Sequence, residues 1–414
     1  MMDNVAQDDP QIRWLFLDLK SYFASVEQQI NPKLRGRPVA IVPIMAESGC
    51  CIAASREAKV RGIKTGTGVA EARRLCPGIQ IVEARPQRYV EYHHAIVAAV
   101  ESCIPVTAIH SIDEMACRLT GPQRELDCAT ELARRIKTTI RRNVGEALTC
   151  SIGLAPNRLL AKVACDMQKP DGLTAIRSVD LPSILYSLAP IDIPGIGPRM
   201  NRRLEARGIT TVQRLCELTR KDMKRLWGGI TGERFWYWLH GHDIPDIVTH
   251  QSSIGHSHVL PPELRTEAGA YAVLQKLVAK AALRLRQQHL WCTRLFVMVK
   301  CFNKRSWEAK IDFAECRDTL TLLEALARLW EERSAGPAHN PFIVAVNLLG
   351  LIPGEQHNLS IFEDKRRLAL ADTMDRVNAK YGRATLYPAA LHTVRSAAPT
   401  RISFQTIPDS CEWA

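Results

Sequence analysis

No C-x-x-C pair occurs anywhere in this chain, and its 13 cysteines are odd in number and scattered, with Cys50 and Cys51 adjacent. That pattern argues against a zinc site and against a secreted disulfide framework. It favours reduced thiols packed as small apolar residues. Nor does any segment approach the ~18 unbroken apolar residues of a membrane span. The opening stretch 1–10 is polar and acidic, without a basic or an apolar signal region, so no signal peptide is expected and the cytoplasm is the expected compartment. Internal repeats and low-complexity runs are also missing.

What is present is length, apolar mass and localised positive charge. A chain of 414 residues suggests roughly two to four domains. Apolar residues make up 46%, enough for several cores. The net charge is +12, and its placement matters more than its size. Residues 194–225 hold nine Lys/Arg against three Asp/Glu, and 276–310 hold nine against one. These two segments exceed the whole excess. Two separate positive fields suit a polyanion touched in two places, although two solvated helix faces would read the same on charge alone.

The segment 13–19 (RWLFLDL) reads as a buried strand whose last residues carry Asp18. A helix is expected at 21–29, turns at 31–37, a strand at 38–43, and short helices at 53–60 and 68–75. Further on, the pattern predicts helices at 88–103, 126–144 and 158–167, a strand at 149–155, and partial alternation over 108–119 around Asp113-Glu114. The order mixes α and β in a way that favours an α+β core over a doubly wound sheet. Residues 181–239 read as all helix and 244–251 as a polar connector. The stretch 256–312 reads as a strand, a long helix at 267–288 and a strand pair around Asn303. A last apolar strand follows at 343–351, then a tail with one helix at 366–380.

Asp18 ends one apolar strand, and Asp113-Glu114 sit in a similar apolar setting. A lone acid in that position usually caps the next helix. Adjacent carboxylates, however, repel, and burying either without a partner is costly. A divalent cation relieves that repulsion, and hard oxygen ligands suit magnesium, which keeps waters and binds carboxylates together with substrate phosphates. Two such ions are what phosphoryl transfer uses, one at the attacking oxygen and one at the leaving group. Spacing alone does not bring Asp18 to Asp113.

The run Phe16-Leu-Asp-Leu-Lys-Ser-Tyr-Phe-Ala-Ser-Val-Glu27 resembles the opening motif of Y-family (translesion) DNA polymerases. Ser111-Ile-Asp-Glu114 resembles their second acidic motif, and 151–172 (SIGLAPNRLLAKVACDMQKPDG) their long palm motif. Ile193-Pro-Gly-Ile-Gly197 resembles the thumb's helix-hairpin-helix turn. The four fall in the family's order and cover roughly residues 12 to 350. The subfamily stays open between the DinB (DNA polymerase IV) and UmuC types.

The resemblance implies a multidomain α+β right hand: palm at 12–21 and 88–176, small fingers at 22–87, a helical helix-hairpin-helix thumb at 177–245, a linker at 246–252, an α+β little finger at 253–353 and a tail at 354–414. It implies that Asp18, Asp113 and Glu114 are the catalytic, metal-binding carboxylates, with Leu19 lending a backbone carbonyl, for two Mg2+ ions that Mn2+ can replace. Tyr22, Phe23, Arg56, Lys59 and Lys169 fall on the nucleotide-binding positions. Phe23 is the steric gate against a 2′-hydroxyl, and Lys169 reaches the triphosphate. The fingers motif departs from the usual T-A-N-Y-x-A-R: here Arg56 replaces a tyrosine and Lys59 an arginine. Lysine binds as a point charge without the fork of arginine, so a different geometry of grip is expected.

The Gly195-Ile-Gly197 turn, followed by Arg199, Arg202 and Arg203, suits a DNA phosphate through backbone amides and a helix start. Asn358-Leu-Ser-Ile-Phe362 resembles the bacterial sliding-clamp-binding peptide, with Asn where Gln is common. The expected function is error-prone, template-directed addition of deoxynucleotides to a primer 3′-OH across damaged template in damage tolerance, without proofreading. The expected partners are primer–template DNA, deoxynucleoside triphosphates and a clamp, no membrane partner is expected, and the expected state is a monomer. Two rivals are a non-catalytic DNA-binding subunit of a mutagenesis complex, which retention of the three carboxylates disfavours, and a metal-dependent nuclease, which the motif order disfavours.

Overall fold

The computed structural model describes residues 12–47, 49–247, 251–302, 306–333, 340–358, 364–382, 384–395, 397–398 and 407. They form two compact units that divide between Asp246 and Ile247.

The first unit opens with β1 (Trp14–Leu19), where the apolar run was expected, and α1 (Tyr22–Ile30). Between them Ser21 takes a left-handed φ of 44°, which makes the turn sharp. Next come β2 (Val39–Val42), β3 (Ala53–Ala54), α2 (Arg56–Lys59), α3 (Val69–Leu75) and β4 (Gln80–Glu83). These build a three-stranded sheet in the order β3-β2-β4 over a small core that includes Val42, Ala58 and Ile63. The helix expected over 53–60 is half right. Ala53 and Ala54 pair with Ile41 and Ala40 as an edge strand. The helix starts only after Ser55, whose side chain accepts the Ala58 N–H.

The chain then runs through α4 (Pro86–Glu101), β5 (Ala108–Ile109), β6 (Glu114–Arg118), α5 (Leu126–Asn143), β7 (Cys150–Ala155), α6 (Arg158–Met167) and β8 (Leu173–Ala175). The resulting sheet has the order β5-β6-β1-β7-β8, with β1 in the middle. Side chains of successive strand residues alternate between faces. Trp14, Phe16, Ala116 and Ala155 therefore share one face, which α6 covers, while Leu15, Leu17, Met115 and Leu154 are buried on the other. α6 comes unusually close. A Cβ on Gly153 would lie 2.0 Å from the Ala161 carbonyl oxygen and 2.3 Å from the Cys165 nitrogen. Asn157 starts α6 by accepting the Leu160 N–H, and donates to the Trp238 and His242 carbonyls at 2.8 and 3.2 Å.

Four helices close the unit, as the pattern over 181–239 implied: α7 (Pro198–Glu205), α8 (Val212–Cys216), α9 (Arg220–Trp227) and α10 (Ile230–Leu239). Thr211 and Thr219 cap α8 and α9. Leu204, Leu215, Met223, Phe235 and Leu239 join the apolar cluster on the α6 face of the sheet.

The second unit contains β9 (Ser253–Val259), α11 (Glu267–Gln287), β10 (Leu290–Cys301), β11 (Ser306–Cys316), α12 (Thr319–Glu331), β12 (Pro341–Leu349), β13 (Ile352–Pro353) and α13 (Lys365–Tyr381). Its sheet, β11-β10-β12-β9, is antiparallel throughout. α11 and α12 fill one face with Leu274, Leu277, Leu322 and Leu326. The segment after Pro353-Gly354, expected as a tail, carries structure of its own that belongs to this unit. Arg286 of α11, only 6% exposed, grips Asp375 of α13 with Nε at 2.6 Å and Nη2 at 2.9 Å, and Arg317 reaches Asp372 at 3.1 Å. Leu359 to Phe362, the body of the clamp-like peptide, lie outside the described residues.

All twelve described cysteines are free thiols and eight are buried. Burial pushes Cys117, Cys150 and Cys292 up to about 12, so these sulfurs pack as apolar groups at neutral pH. No helix among the described residues is long and apolar enough to cross a membrane.

Candidate active site

The strand ladder decides which acids meet. Asp18 at the end of β1 lies directly opposite Glu114, the first residue of β6, so both share the face that α6 covers. Asp113 sits in the turn just before β6, and its carbonyl accepts the Leu19 N–H at 2.9 Å. The two acidic motifs, 95 positions apart in sequence, are thus tied backbone to backbone. Ser111 Oγ donates to Asp113 Oδ1 at 2.6 Å and fixes that side chain.

Three carboxylates in one half-buried place are electrostatically expensive, and the site records the cost. Burial pushes Asp18 up to about 6; Lys169 opposes the rise, and Asp113 and Glu114 add to it. Asp113 is likewise raised by burial and by Glu114, against the Ser111 hydrogen bond. Two ammonium groups answer the charge. Lys169 Nζ donates to Asp18 Oδ2 at 2.6 Å and also pairs with Asp166 at 2.6 Å. Burial pulls the Lys169 ammonium down, but these two acids outweigh it and hold it above its ordinary range. Lys162 takes both Glu114 oxygens, at 2.7 and 2.8 Å. With the amines in place, no group of three or more His, Cys, Asp or Glu among the described residues is gathered closely enough to hold an ion. The donor set itself fits a hard divalent cation: acid oxygens only, no sulfur or imidazole, Asp18 and Asp113 raised by burial, and cationic amines already paired with Asp18 and Glu114.

The nucleotide positions divide. Phe23 is half-buried on α1, and its ring stacks on Tyr89 with centroids 4.5 Å apart at 15°. Tyr89 is itself held, its hydroxyl donating to the buried Glu27 at 2.9 Å, and Glu27 is paired with Arg85. Lys59 ends α2 near the acids. Burial and the Lys169 charge lower its pKa, while Asp18 and Asp113 raise it. Arg56 opens α2 and is exposed. Tyr22 is buried on α1. Its side chain is 3% exposed and its hydroxyl donates to the Tyr89 carbonyl at 2.6 Å, so anything it offers a nucleotide must come from its backbone.

Sequence reasoning missed Lys162, Tyr89 and a cavity of about 430 Å³ beside Glu114, lined in part by Trp14, Phe16, His110, Arg158 and Lys162. Lys162 lay inside the quoted palm motif; only the way α6 crosses β1 reveals its partner. At the Gly195–Gly197 turn, Gly195 has φ +95°, and an added Cβ would press on the Phe235 ring at 3.1 Å. Gly197 precedes α7 and faces open space, with Arg199, Arg202 and Arg203 exposed just beyond.

Comparison with known proteins bears on the family and the fold. Residues 17–166 match the impB/mucB/samB family, and residues 251–361 match the impB/mucB/samB family C-terminal domain. A DNA polymerase IV of Moorella thermoacetica is 32% identical over 91% of this chain and 95% of its own length. DNA polymerase IV 1 of Bacillus subtilis is 29% identical over 88% and 90%. Among solved structures, a Y-family DNA polymerase chimera, Dbh-Dpo4(243-245)-Dbh, superposes with a TM-score of 0.69 at 24% identity, covering 82% of this chain and 99% of its own. DinB from Sulfolobus solfataricus gives 0.52 at 24%, over 82% and 99%. The fold is that of a multidomain α+β polymerase, and the chain belongs to the Y-family of DNA polymerases, on its DinB-like, DNA polymerase IV branch.

Proposed function

We propose that this translesion DNA polymerase does its chemistry at Asp18, Asp113 and Glu114, on primer–template DNA and deoxynucleoside triphosphates. The observation that carries the reading is the pairing of Asp18 with Glu114 across the ladder, with Asp113 tied to Leu19. In this reading the three carboxylates and the Leu19 carbonyl hold two Mg2+ ions, which Mn2+ can replace. Such ions would supply charge stabilisation at the attacking and leaving oxygens. Lys59, Arg56 and Lys169 then orient the triphosphate. A phosphate arriving beside Lys169 gives its ammonium an anion in place of Asp18 and leaves that carboxylate for a cation. Phe23, braced by Tyr89, crowds the sugar edge and excludes a 2′-hydroxyl.

The rest of the chain divides by the same reading. The five-stranded sheet is the palm, the three-stranded sheet the fingers, α7–α10 the thumb and the second unit the little finger. Gly195 to Arg203 takes a DNA phosphate without reading sequence. Asn358–Phe362 recruits the enzyme to a bacterial sliding clamp, and the polymerase acts as a cytoplasmic monomer that makes errors and does not proofread. Primer extension with magnesium on undamaged and lesion-bearing templates tests the core of this. DNA should lengthen on both templates, whereas shortening would indicate a nuclease, and no change at all would indicate a non-catalytic DNA-binding subunit.

A further inference from the structure

Glu114 is occupied. The Lys162 ammonium that spans its two oxygens also lies 5.4 Å over the centroid of the Phe16 ring. Its helix is pressed onto β7 at Gly153, so the amine is delivered from a fixed platform. Lys169, the other amine of the site, has two carboxylates and can fall back from Asp18 onto Asp166. Lys162 differs. Among the described residues Glu114 is the only carboxylate it pairs with. Withdrawing Glu114 would leave a partly desolvated ammonium on an aromatic ring, which is costly unless another anion arrives.

A place for that anion lies next door. The cavity of about 430 Å³ has Lys162 and Glu114 in its wall, with Arg118 and Arg158 nearby. The two arginines are already matched, Arg118 to Asp243 at 3.0 Å and Arg158 to Asp246 at 2.7 Å. An anion entering the cavity therefore meets Lys162 as the cation whose partner has somewhere else to go.

We propose that Lys162 is a positioning residue that couples metal loading to primer arrival: a primer-strand phosphodiester in this cavity takes over its ammonium and frees Glu114 to coordinate. The inference rests on the reading that Asp18, Asp113 and Glu114 hold the ions. Without DNA, the amine and the ion compete for the same oxygens. With DNA the competition is relieved, so DNA tightens metal binding, and by linkage metal tightens DNA binding by the same factor. A lysine suits this role because its ammonium is a compact charge on a flexible stem, able to change partners without a fixed fork.

Mn2+ binding to the full chain, followed by electron paramagnetic resonance without nucleotide, tests it. The measurement is made with and without a primer–template ending in a 3′-deoxynucleotide. In the wild type, DNA should tighten Mn2+ by about tenfold. Lys162→Met should bind Mn2+ more tightly by a similar factor in the absence of DNA, and gain little more when DNA is added. A merely structural lysine would change the melting temperature without changing this DNA dependence. Primers whose last three linkages are made neutral one at a time, as methylphosphonates, test the wild type itself, so a poorly folding variant does not decide the matter. One of the three should abolish the coupling. Equal Mn2+ affinities in wild type and Lys162→Met under both conditions, or coupling that survives all three neutral primers, overturns the proposal. Glu114→Gln separates the layers. If it loses Mn2+ while Lys162→Met matches wild type, only the coupling fails; if it binds Mn2+ as wild type does, the metal reading itself fails.

Discussion

The ring of Phe23 lies almost parallel to that of Tyr89, 4.5 Å away, and Tyr89 is anchored through its hydroxyl to Glu27. In the proposed gate role, Phe23 is backed by a second ring that is itself held by a hydrogen bond. Phe23→Ala should raise ribonucleotide use relative to deoxynucleotide use by roughly a hundredfold or more, the scale on which a shaped apolar pocket rejects an added hydroxyl. Tyr89→Leu keeps apolar volume but removes the flat backing, and should give a smaller loss of about tenfold. Both are read as the ratio of kcat/KM for the two sugars. Unchanged discrimination in Phe23→Ala would make the ring an ordinary core aromatic.

Asp18→Asn, Asp113→Asn and Glu114→Gln should each lower primer extension by roughly a thousandfold or more, since each removes an oxygen from charge stabilisation worth several kcal/mol. DNA binding by Asp18→Asn and Asp113→Asn, measured by anisotropy without divalent metal, should stay near wild type. Substantial extension by Asp113→Asn would remove it from the catalytic set.

The raised Asp18 pKa gives a pH dependence of definite sign. The carboxylate must lose its proton to hold a cation, so metal affinity should fall as pH drops through about 6, by about tenfold per unit below it. In the metal-free protein the same group acts on stability. Its folded value is above the ordinary 3.8, so its contribution is fully present below 3.8 and lost as pH rises through about 6. Asp18→Asn should therefore melt higher than the metal-free wild type at pH 8 and lose that advantage near pH 4. Calorimetry showing the same difference at both pH values would contradict the burial of this charge.

At the Gly195–Gly197 turn, proposed to take a DNA phosphate, Arg199→Gln should weaken binding to all DNA sequences alike and reduce the salt slope by about one. Arg203 also donates to the Leu226 carbonyl at 3.2 Å, so Arg203→Gln should cost some stability as well. A sequence-selective loss from Arg199→Gln would exclude a phosphate contact.

For the clamp-like peptide, Leu359→Ala with Phe362→Ala should leave clamp-free extension near normal and abolish stimulation by a bacterial sliding clamp, because tethering raises local concentration. Asn358, just before these anchors, is bonded to Glu315 through both its backbone and its side-chain amide. Asn358→Gln should strengthen clamp stimulation if a longer amide reaches the groove better. A several-degree fall in melting temperature of the double variant would instead make the anchors part of the core.

Much of this was legible where a local signal exists. The helix read at 158–167 has those bounds in the structure, and β1 was marked by an apolar run ending in an acid. The two-residue edge strand at Ala53–Ala54 has too few residues for a period and was absorbed into the helix after it. β8, with three residues, escaped for the same reason, while β4, as long as β2, simply went unread. α12 went unread despite a capping Asp318 that accepts the Thr321 N–H. Of the proposed site, Asp18, Asp113, Glu114 and Phe23 were named as motif positions from the sequence. The Lys162–Glu114 pair and the Phe23–Tyr89 stack were not, because both come from how separate elements cross, which no spacing along the chain encodes.

The grip of Arg286 on Asp375 has a practical consequence for deletion experiments. To remove the clamp-like peptide, one would naturally cut the chain after Pro353. That cut also removes α13, and with it the Asp375 carboxylate that pairs with Arg286 and the cover α13 gives that guanidinium. A shortened chain would then lose activity through a weakened second unit, and the defect would pass for a recruitment phenotype. Side-chain replacement within 359–362 keeps Asp375 where it is, so the two effects can be measured apart.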